Sequence, residues 1–260
     1  MTEAPAEGNG TYLYGVVSAD AVHDGNASFK STGVGAGAPV RAIEAGDLAA
    51  IVSDAPLTRY DTTRENLVAH EAVLEEVLDR TDVVPVAFGI VATNDQEVQE
   101  QLLQREADVL HQTLEYVKGR VEVTLQVLWN EEALFREIVE ENPDIQQIRD
   151  SIVGQPEDAV YNERVQMGEM AAALVPTKSQ QAGQEIFDAL QPLALETRVN
   201  DNTIDTMVLN AAFLVEKSKL SDFDDKVSEL SQANSNRLLF SYVGPLPPYD
   251  FVSVRIRWDE

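Results

Sequence analysis

The sequence predicts an α+β protein with two domains that join near Gly119. Three observations support this fold class. The length of 260 residues suits one or two domains. Both halves combine antiparallel hairpin patterns with helices that can cover one face of a sheet. The second half has the element order β-α-β-β-α-β of a ferredoxin-like domain. We therefore expect a flexible acidic tail at 1–10, an N-terminal α+β domain at 11–119 and a C-terminal ferredoxin-like domain at 120–260, with a helical insertion at about 130–192.

The first domain is predicted to begin with a strand, because Thr11–Val17 is rich in aromatic and β-branched side chains. A glycine-rich stretch then leads to a hairpin that turns at Gly46. Thr62 with Glu65 forms a capping box at the start of one helix, and Asn94 marks the start of another. The elements predicted for this domain are strands at 11–17, 40–44, 48–53 and 83–90 and helices at about 62–80 and 94–119.

The second domain is predicted to begin with a long strand, because apolar and polar residues alternate from Val121 to Trp129. Helical segments follow, two strands flank a turn at Asn200–Asn202, and Ser221 caps a further helix. The elements predicted for this domain are strands at 121–129, 194–200, 204–216, 237–243 and 251–258 and helices at about 130–141, 144–150, 157–191 and from 221 onward.

The composition excludes several functional classes. The chain has 19 Lys and Arg against 45 Asp and Glu, a formal net charge of −26. Such a surface repels nucleic acid, whose binding depends on clustered basic residues. The apolar runs are shorter than the ~20 residues that a transmembrane helix needs. The N-terminus lacks a signal-peptide pattern, and there is no cysteine. We expect an intracellular protein without disulfides, membrane spans or nucleic-acid partners.

The excess of acidic residues also suggests the salt concentration in which the protein works. An acidic surface with few lysines suits a cytoplasm at molar salt, where the Debye length falls to about 3 Å and self-repulsion is largely screened. The sequence therefore favours a halophilic source. The alternative is an acidic mesophilic protein, or one that binds a basic partner.

No catalytic or metal-binding signature stands out in the sequence. The nitrogen ligands are His23, His70 and His111, and none is paired at metal-binding spacing. His70 lies on the apolar side of its predicted helix, which favours a structural histidine over a general base. The glycine-rich stretch 33–37 precedes a strand rather than a helix, so it indicates a flexible connector and not a phosphate loop. We expect no cofactor, no metal and no enzymatic activity; the rival hypothesis is a hydrolase that uses His70 with a neighbouring acid.

Two apolar features are candidates for contact with a partner protein. A Pro-rich segment near the C-terminus is predicted to be a shaped loop that presents Leu246, Tyr249 and Phe251, because its prolines exclude it from a central strand. It either binds a partner or closes the domain. Met167 and Met170 lie in the predicted long helix, and they either pack against a partner or belong to the core.

Several segments form a distinctive combination in a consistent order over about 11–257. They are His70 followed by Val84–Gly89, Gly119–Glu122 leading to Trp129, Leu209–Val215, Phe223 and Gly244–Phe251. Together they resemble the gas vesicle accessory proteins of the F and L types. Two positions differ from that family, which often has Arg at the position of Ala87 and Trp at that of Leu246.

The resemblance implies a non-enzymatic role in early gas vesicle assembly. The implied partners are the small hydrophobic shell protein and other gas vesicle accessory proteins, and the implied location is the gas vesicle, with a cytoplasmic stage before assembly. The acidity agrees with a haloarchaeal member, and the length and added helices favour the L type. A scaffold that binds several accessory proteins without touching the shell remains an alternative.

Overall fold

The computed structural model describes residues 8–23, 29–35, 37–201 and 204–252. The chain forms two compact units, which we call unit 1 (1–122 with 245–260) and unit 2 (123–244). Both units contain helices and strands, so the chain is α+β, as the sequence predicted. The first boundary between the units follows Glu122, and the described C-terminal residues 245–252 group with unit 1; the predicted two-domain division at Gly119 stays a prediction.

The helices and strands have the following bounds. The strands are β1 Asn9–Ser18, β2 Val40–Ala45, β3 Leu48–Pro56, β4 Val84–Pro85, β5 Val91–Ala92, β6 Arg120–Trp129, β7 Glu196–Val199, β8 Met207–Glu216 and β9 Leu238–Leu246. The α-helices are α1 Asp20–His23, α2 Arg64–Leu78, α3 Asp95–Glu97, α4 Ala107–Val117, α5 Glu131–Glu141, α6 Pro143–Ile152, α7 Tyr161–Leu190 and α8 Leu220–Ala233. A π-helix occupies Val98–Gln104, and short 3-10 helices occupy Glu157–Ala159, Gln191–Leu193 and Lys217–Lys219.

The sheet of unit 1 has the order β2-β3-β1-β4, and β5 also pairs with β1. These pairings are antiparallel. β1 is buried on both faces. Leu13 and Val16 pack in a core cluster with Leu102 and Leu110 of the π-helix and α4. Tyr12, on the opposite face, contacts α2. Double-sided burial explains why β1 is a nearly continuous apolar run rather than an alternating one.

Three local features of unit 1 differ from the prediction. Within the predicted strand 83–90 only Val84–Pro85 is a strand, because Gly89 has a φ of +84° and turns the chain before the next short strand, Val91–Ala92. The N-cap of α2 is Thr63, whose side chain accepts from Asn66 N–H, and not Thr62. The single predicted helix 94–119 is divided by the π-helix, although it begins at Asn94 as expected.

Unit 2 is built on a sheet with the order β7-β8-β6-β9. The apolar residues that alternate along β6, from Val123 to Trp129, enter one core cluster with residues of α5–α8 and β8. Phe213 of β8 contacts two other aromatic rings of this core. Its ring centroid lies 5.2 Å from that of Phe223 and 6.0 Å from that of Phe187. The helical material predicted at 130–192 is therefore part of the core of unit 2.

The two sheets share one strand order. In unit 1 it is β2-β3-β1-β4, and in unit 2 the equivalent order is β7-β8-β6-β9, so that in both the first strand lies between the third and the fourth.

Some predicted features lie wholly or partly outside the described residues. They are most of the tail 1–10, the end of the Asn200–Asn202 turn and most of the strand 251–258. The described part of the tail already enters β1 at Asn9. None of the helices in the described ranges is long and apolar enough to cross a bilayer.

Candidate interaction site

An aromatic cluster surrounds His70 in unit 1. The ring centroid of His70 lies 5.4 Å from Tyr14, 5.6 Å from Phe88 and 5.7 Å from Tyr12. Tyr60 joins the cluster edge-on, 5.4 Å from Tyr12. Tyr12 and Tyr14 of β1 and His70 of α2 point into the space between the sheet and that helix. The rings contact one another edge-on or at a tilt.

Hydrogen bonds and burial determine the protonation state of His70. The Tyr12 hydroxyl accepts from Gly89 N–H at 2.9 Å and lies 3.1 Å from His70 Nδ1. The free proton of that hydroxyl is then available to Nδ1, which favours the tautomer with its proton on Nε2. Burial lowers the pKa of His70 to about 4, against an opposing effect of the Val86 carbonyl. His70 is 2% exposed, so it is a neutral, internal side chain near pH 7.

The surroundings of His70 lack the features of a catalytic base. Among the described residues, its hydrogen-bond partner is a tyrosine and not a carboxylate, and Nε2 is buried without a partner. A general base must reach the proton that it removes. Within the described ranges, no three His, Asp or Glu side chains are grouped closely enough to hold a metal ion.

The glycine-rich stretch before β2 packs against the same cluster. Val34 is fully buried, and its N–H donates to the Tyr14 hydroxyl at 2.9 Å. Tyr14 also lies 2.8 Å from Ser53 Oγ. The described part of this stretch is therefore fixed by the protein interior, whereas the sequence suggested a flexible connector.

The Pro-rich segment is largely turned inward. Its chain forms a turn in which the N–H groups of Phe251 and Val252 donate to the Pro248 carbonyl. Asp250 N–H donates to the buried carboxylate of Glu122 at 2.8 Å. Phe251 is 8% exposed, so the expectation that the loop presents this ring is not met. Packing on unit 1 explains this position, because Val252 contacts the core of that unit.

Tyr249 and Leu246 occupy intermediate positions in the same segment. The Tyr249 hydroxyl is buried without a hydrogen-bond partner among the described residues. Burial raises the pKa of Tyr249, and the nearby carboxylate of Glu71 acts in the same direction. Leu246, at the end of β9, is half-buried. The hydroxyl of Tyr249 therefore points into the protein, and Leu246 keeps part of its surface open.

A groove of about 740 Å³ lies in unit 2 between α7 and the hairpin of β7 and β8. α7 closely approaches β8 at Gly183, where a Cβ would lie 2.3 Å from the Val208 carbonyl oxygen. Ser179 is fixed by Trp129, whose Nε1–H donates to its hydroxyl at 3.0 Å. These contacts hold the floor of the groove in place.

The groove is lined mainly by apolar groups. Val199 and Ile204 stand at its hairpin side with 63% and 51% of their surfaces exposed. Pro176 of α7 has no N–H to donate to the Ala172 carbonyl, and both residues line the groove. The groove therefore presents exposed apolar side chains beside a helix segment in which Pro176 cannot donate a backbone hydrogen bond.

Met167 and Met170 lie on the same helix, one to three turns before Pro176. Both are partly buried and pack against the core of unit 2, so each supplies packing and retains some exposed surface. The structure shows the packing role, and contact with a partner stays a prediction for these residues.

The sequence reasoning did not identify Val199, Ile204 or the groove beside them. A usable signal was present in α7. Ala172, Ser179 and Gly183 are small residues spaced by whole helical turns on one face, which indicates close approach of another element.

The family model described as "Gas vesicle synthesis protein GvpL/GvpF" matches residues 10–253. The chain belongs to the GvpL/GvpF family. This confirms the resemblance seen in the sequence. Gas vesicle protein F of a Streptomyces species is 32% identical over 243 residues, covering 93% of this chain and 99% of that protein. Gas vesicle protein F of Haloferax mediterranei is 24% identical over 253 residues, covering 96% of each chain.

A solved structure agrees with this family membership. The crystal structure of GvpF from Anabaena sp. matches with a TM-score of 0.73 and 26% identity, covering 95% of this chain and 99% of that one. Relatives thus occur in bacteria and in archaea, and the Anabaena protein shares this fold along nearly the whole chain. Membership of the GvpL/GvpF family makes this chain a gas vesicle accessory protein.

Proposed function

We propose that the protein is a non-enzymatic gas vesicle assembly factor that binds the hydrophobic shell protein through the apolar groove of unit 2. The observation that carries this proposal is the groove itself, with the apolar side chains of Val199 and Ile204 exposed beside α7. Contiguous exposed apolar surface in a folded protein usually marks a contact site. The family provides the context of gas vesicle formation.

The charge of the protein supports a role as a carrier of an apolar partner. A shell subunit that packs into a gas-tight wall must have apolar surface before assembly, and such surface aggregates unless it is covered. A chain with a net charge of −26 keeps a complex with that subunit in solution. The proposed location follows from this role: the cytoplasm before assembly, and the gas vesicle afterwards.

The residues chosen from the sequence take different parts in this proposal. Met167, Met170 and Leu246 retain exposed surface, and we propose them as additional partner contacts. Tyr249 and Phe251 shape the Pro-rich segment from inside. Contacts with other accessory proteins are part of the same proposal. We also infer a ferredoxin-like fold for unit 2, which its strand order β7-β8-β6-β9 supports.

The alternatives are distinguished by specific contacts. A scaffold without shell contact would use surfaces other than the groove. A hydrolase would need His70 as an accessible base, and the burial and low pKa of His70 speak against that use.

The proposal can be tested by placing a charge in the groove. Ile204→Glu is exposed enough to preserve the fold, but it puts a carboxylate where the shell protein would exclude water. We expect its recovery of shell protein in a tagged pull-down at molar salt to fall at least about tenfold, equivalent to about 1.4 kcal/mol. The matched control is Leu239→Glu, at a residue of unit 2 that is 53% exposed and does not line the groove.

The two variants give a clear decision. Loss of the shell protein with Ile204→Glu, and retention with Leu239→Glu, would support the groove as the contact site. Equal recovery with both variants would contradict it. Retention of accessory proteins without any shell protein, even in the wild type, would favour the scaffold.

A further inference from the structure

A second groove, in unit 1, has a different chemistry. It has a volume of about 820 Å³ and lies between the outer face of α2 and the chain at 30–32. Val68, Ala69 and Ala72 of α2 form its apolar side, and Val68 is 54% exposed. Lys30 and Arg64 also line it, and both are exposed.

The wall at 30–32 is held rigidly against α2. The Glu76 carboxylate accepts from the N–H groups of Lys30 at 2.9 Å and Ser31 at 2.8 Å. Ser31 Oγ donates to the Ala72 carbonyl at 3.2 Å. Arg80 pairs with the same Glu76 carboxylate, so that this acid is already neutralised within the protein. The backbone of Lys30 is therefore fixed, and its side chain is exposed.

The charge of this groove is opposite to that of the protein as a whole. Its lining has two cations, Lys30 and Arg64, against one carboxylate, Glu65, in a chain with a net charge of −26. Within the described residues, neither cation makes an ion pair or a side-chain hydrogen bond. Some other cations are paired within the protein: Arg41 with two aspartates, and Lys178 with two glutamates.

The position of Arg64 makes its lack of a partner more informative. Arg64 is the first residue of α2, next to the positive end of the helix dipole. A carboxylate would stabilise the helix at this position, whereas a cation is unfavourable there. The chain has 45 acidic residues and still places at this site an arginine that has no partner among the described residues. Arg64 therefore does not stabilise α2 through the helix dipole, and its exposed guanidinium is open to an external negative charge.

We propose that this groove binds an acidic amphipathic helix of a partner protein. The apolar face of that helix would contact Val68, Ala69 and Ala72, and its carboxylates would pair with Lys30 and Arg64. Charge complementarity selects this occupant, since the rest of the surface repels acidic segments. The inference goes beyond the shell contact proposed above, because the groove of unit 2 has no cation in its lining.

The first test uses the purified full-length chain and synthetic peptides. The probe is a fluorescent helical peptide with leucines on one face and glutamates on the other, and the comparison peptide has uncharged glutamines in place of the glutamates. Fluorescence anisotropy measures the dissociation constants at the lowest salt concentration at which the chain stays folded, where charge pairs are least screened. We expect the acidic peptide to bind and the glutamine peptide to bind about tenfold more weakly.

Matched variants locate the binding. An exposed ion pair contributes about two- to fivefold in affinity, so the double variant Lys30→Glu/Arg64→Glu should weaken acidic-peptide binding by about tenfold or more. The control is Arg136→Glu, which changes the same charge at an exposed arginine of unit 2 that also has no partner among the described residues. Arg136→Glu should leave binding unchanged.

Thermal melting separates lost binding from lost folding. Arg64→Glu should keep or raise the melting temperature, because it replaces a cation at the helix start by an anion. If the double variant were to unfold, Arg64→Gln alone should still weaken binding by about two- to fivefold. Equal binding by wild type and folded variants, equal affinity for both peptides, or no binding at millimolar peptide would overturn the proposal.

A second test identifies the partner segment in gas-vesicle-producing cells. A photo-crosslinking amino acid replaces Val68, and the control replaces Val109, which is 48% exposed and lies outside this groove. Mass spectrometry then gives the sequence attached to position 68. A segment with apolar residues at helical spacing and net negative charge would support the proposal. A neutral or basic segment, or a segment of a second copy of this chain, would overturn it. Neither result depends on the groove of unit 2.

Discussion

His70→Gln should change how the stability of the protein depends on pH. The wild-type imidazole is 2% exposed and bonded to Tyr12, and burial lowers its pKa to about 4 from the ordinary value of 6.5. Glutamine retains an amide group that can bond to Tyr12, but it does not titrate. The variant therefore removes the titration of this site and keeps part of its hydrogen bonding.

The sign and the size follow from proton linkage. Between pH 6.5 and pH 4 the unfolded chain binds a proton at His70 and the folded chain does not, so the free energy of unfolding falls as the pH falls. The slope is about 1.4 kcal/mol per pH unit in that window, which gives a loss of about 3 kcal/mol between pH 7 and pH 4. Below pH 4 both states are protonated and the loss stops growing.

Urea unfolding at molar salt, repeated from pH 7 to pH 4, measures this contribution. The protein also loses stability in acid through protonation of carboxylates whose pKa values are lowered in the folded chain, such as Asp95 and Glu76. The difference between wild type and His70→Gln cancels that shared background. We expect the wild type to lose about 3 kcal/mol more than the variant. A difference that stays constant with pH would refute a buried, neutral His70 and would return the hydrolase to consideration.

Three further predictions concern packing and salt. Gly183→Ala should destabilise unit 2 by about 1–3 kcal/mol, because the alanine Cβ would lie 2.3 Å from the Val208 carbonyl oxygen. The urea midpoint should fall, and an unchanged midpoint would contradict the close approach of α7 to β8. Phe213→Ala should cost about 3–5 kcal/mol, since the ring is fully buried between Phe187 and Phe223; a cost below about 1 kcal/mol in the same assay would contradict that packing. The melting temperature should fall when molar salt is reduced to tenth-molar, because less of the acidic surface is screened; a flat profile would reject the halophilic interpretation.

Elements with strong local signals could be predicted from the sequence. The alternation from Val121 to Trp129 and the cap at Asn94 depend on neighbouring residues, and both are confirmed. The predicted strand 83–90 was wrong, because Gly89 turns the chain and its N–H bonds to the distant Tyr12 hydroxyl. Such a contact joins residues 77 apart in the sequence and leaves no local pattern.

The interaction surfaces were harder to predict than the elements. The groove of unit 2 requires Val199 of the hairpin to lie beside α7, and only the folded chain brings them together. The groove of unit 1 depends on Glu76 accepting from the backbone of Lys30, a bond across 46 positions. The sequence shows where cationic and small residues lie along the chain, but tertiary contacts decide which of them share a surface.

Complementation of a gas-vesicle-deficient strain tests the central claim most directly. The strain would lack its own copy of this gene and carry wild type, Val199→Glu/Ile204→Glu or Leu239→Glu at matched protein levels. Electron microscopy would then count gas vesicles per cell. We predict normal vesicles with wild type and Leu239→Glu, and few or none with the double variant, since charged groups in the groove of unit 2 would exclude the shell protein. Normal vesicle numbers with the double variant would contradict the claim that this groove acts in assembly.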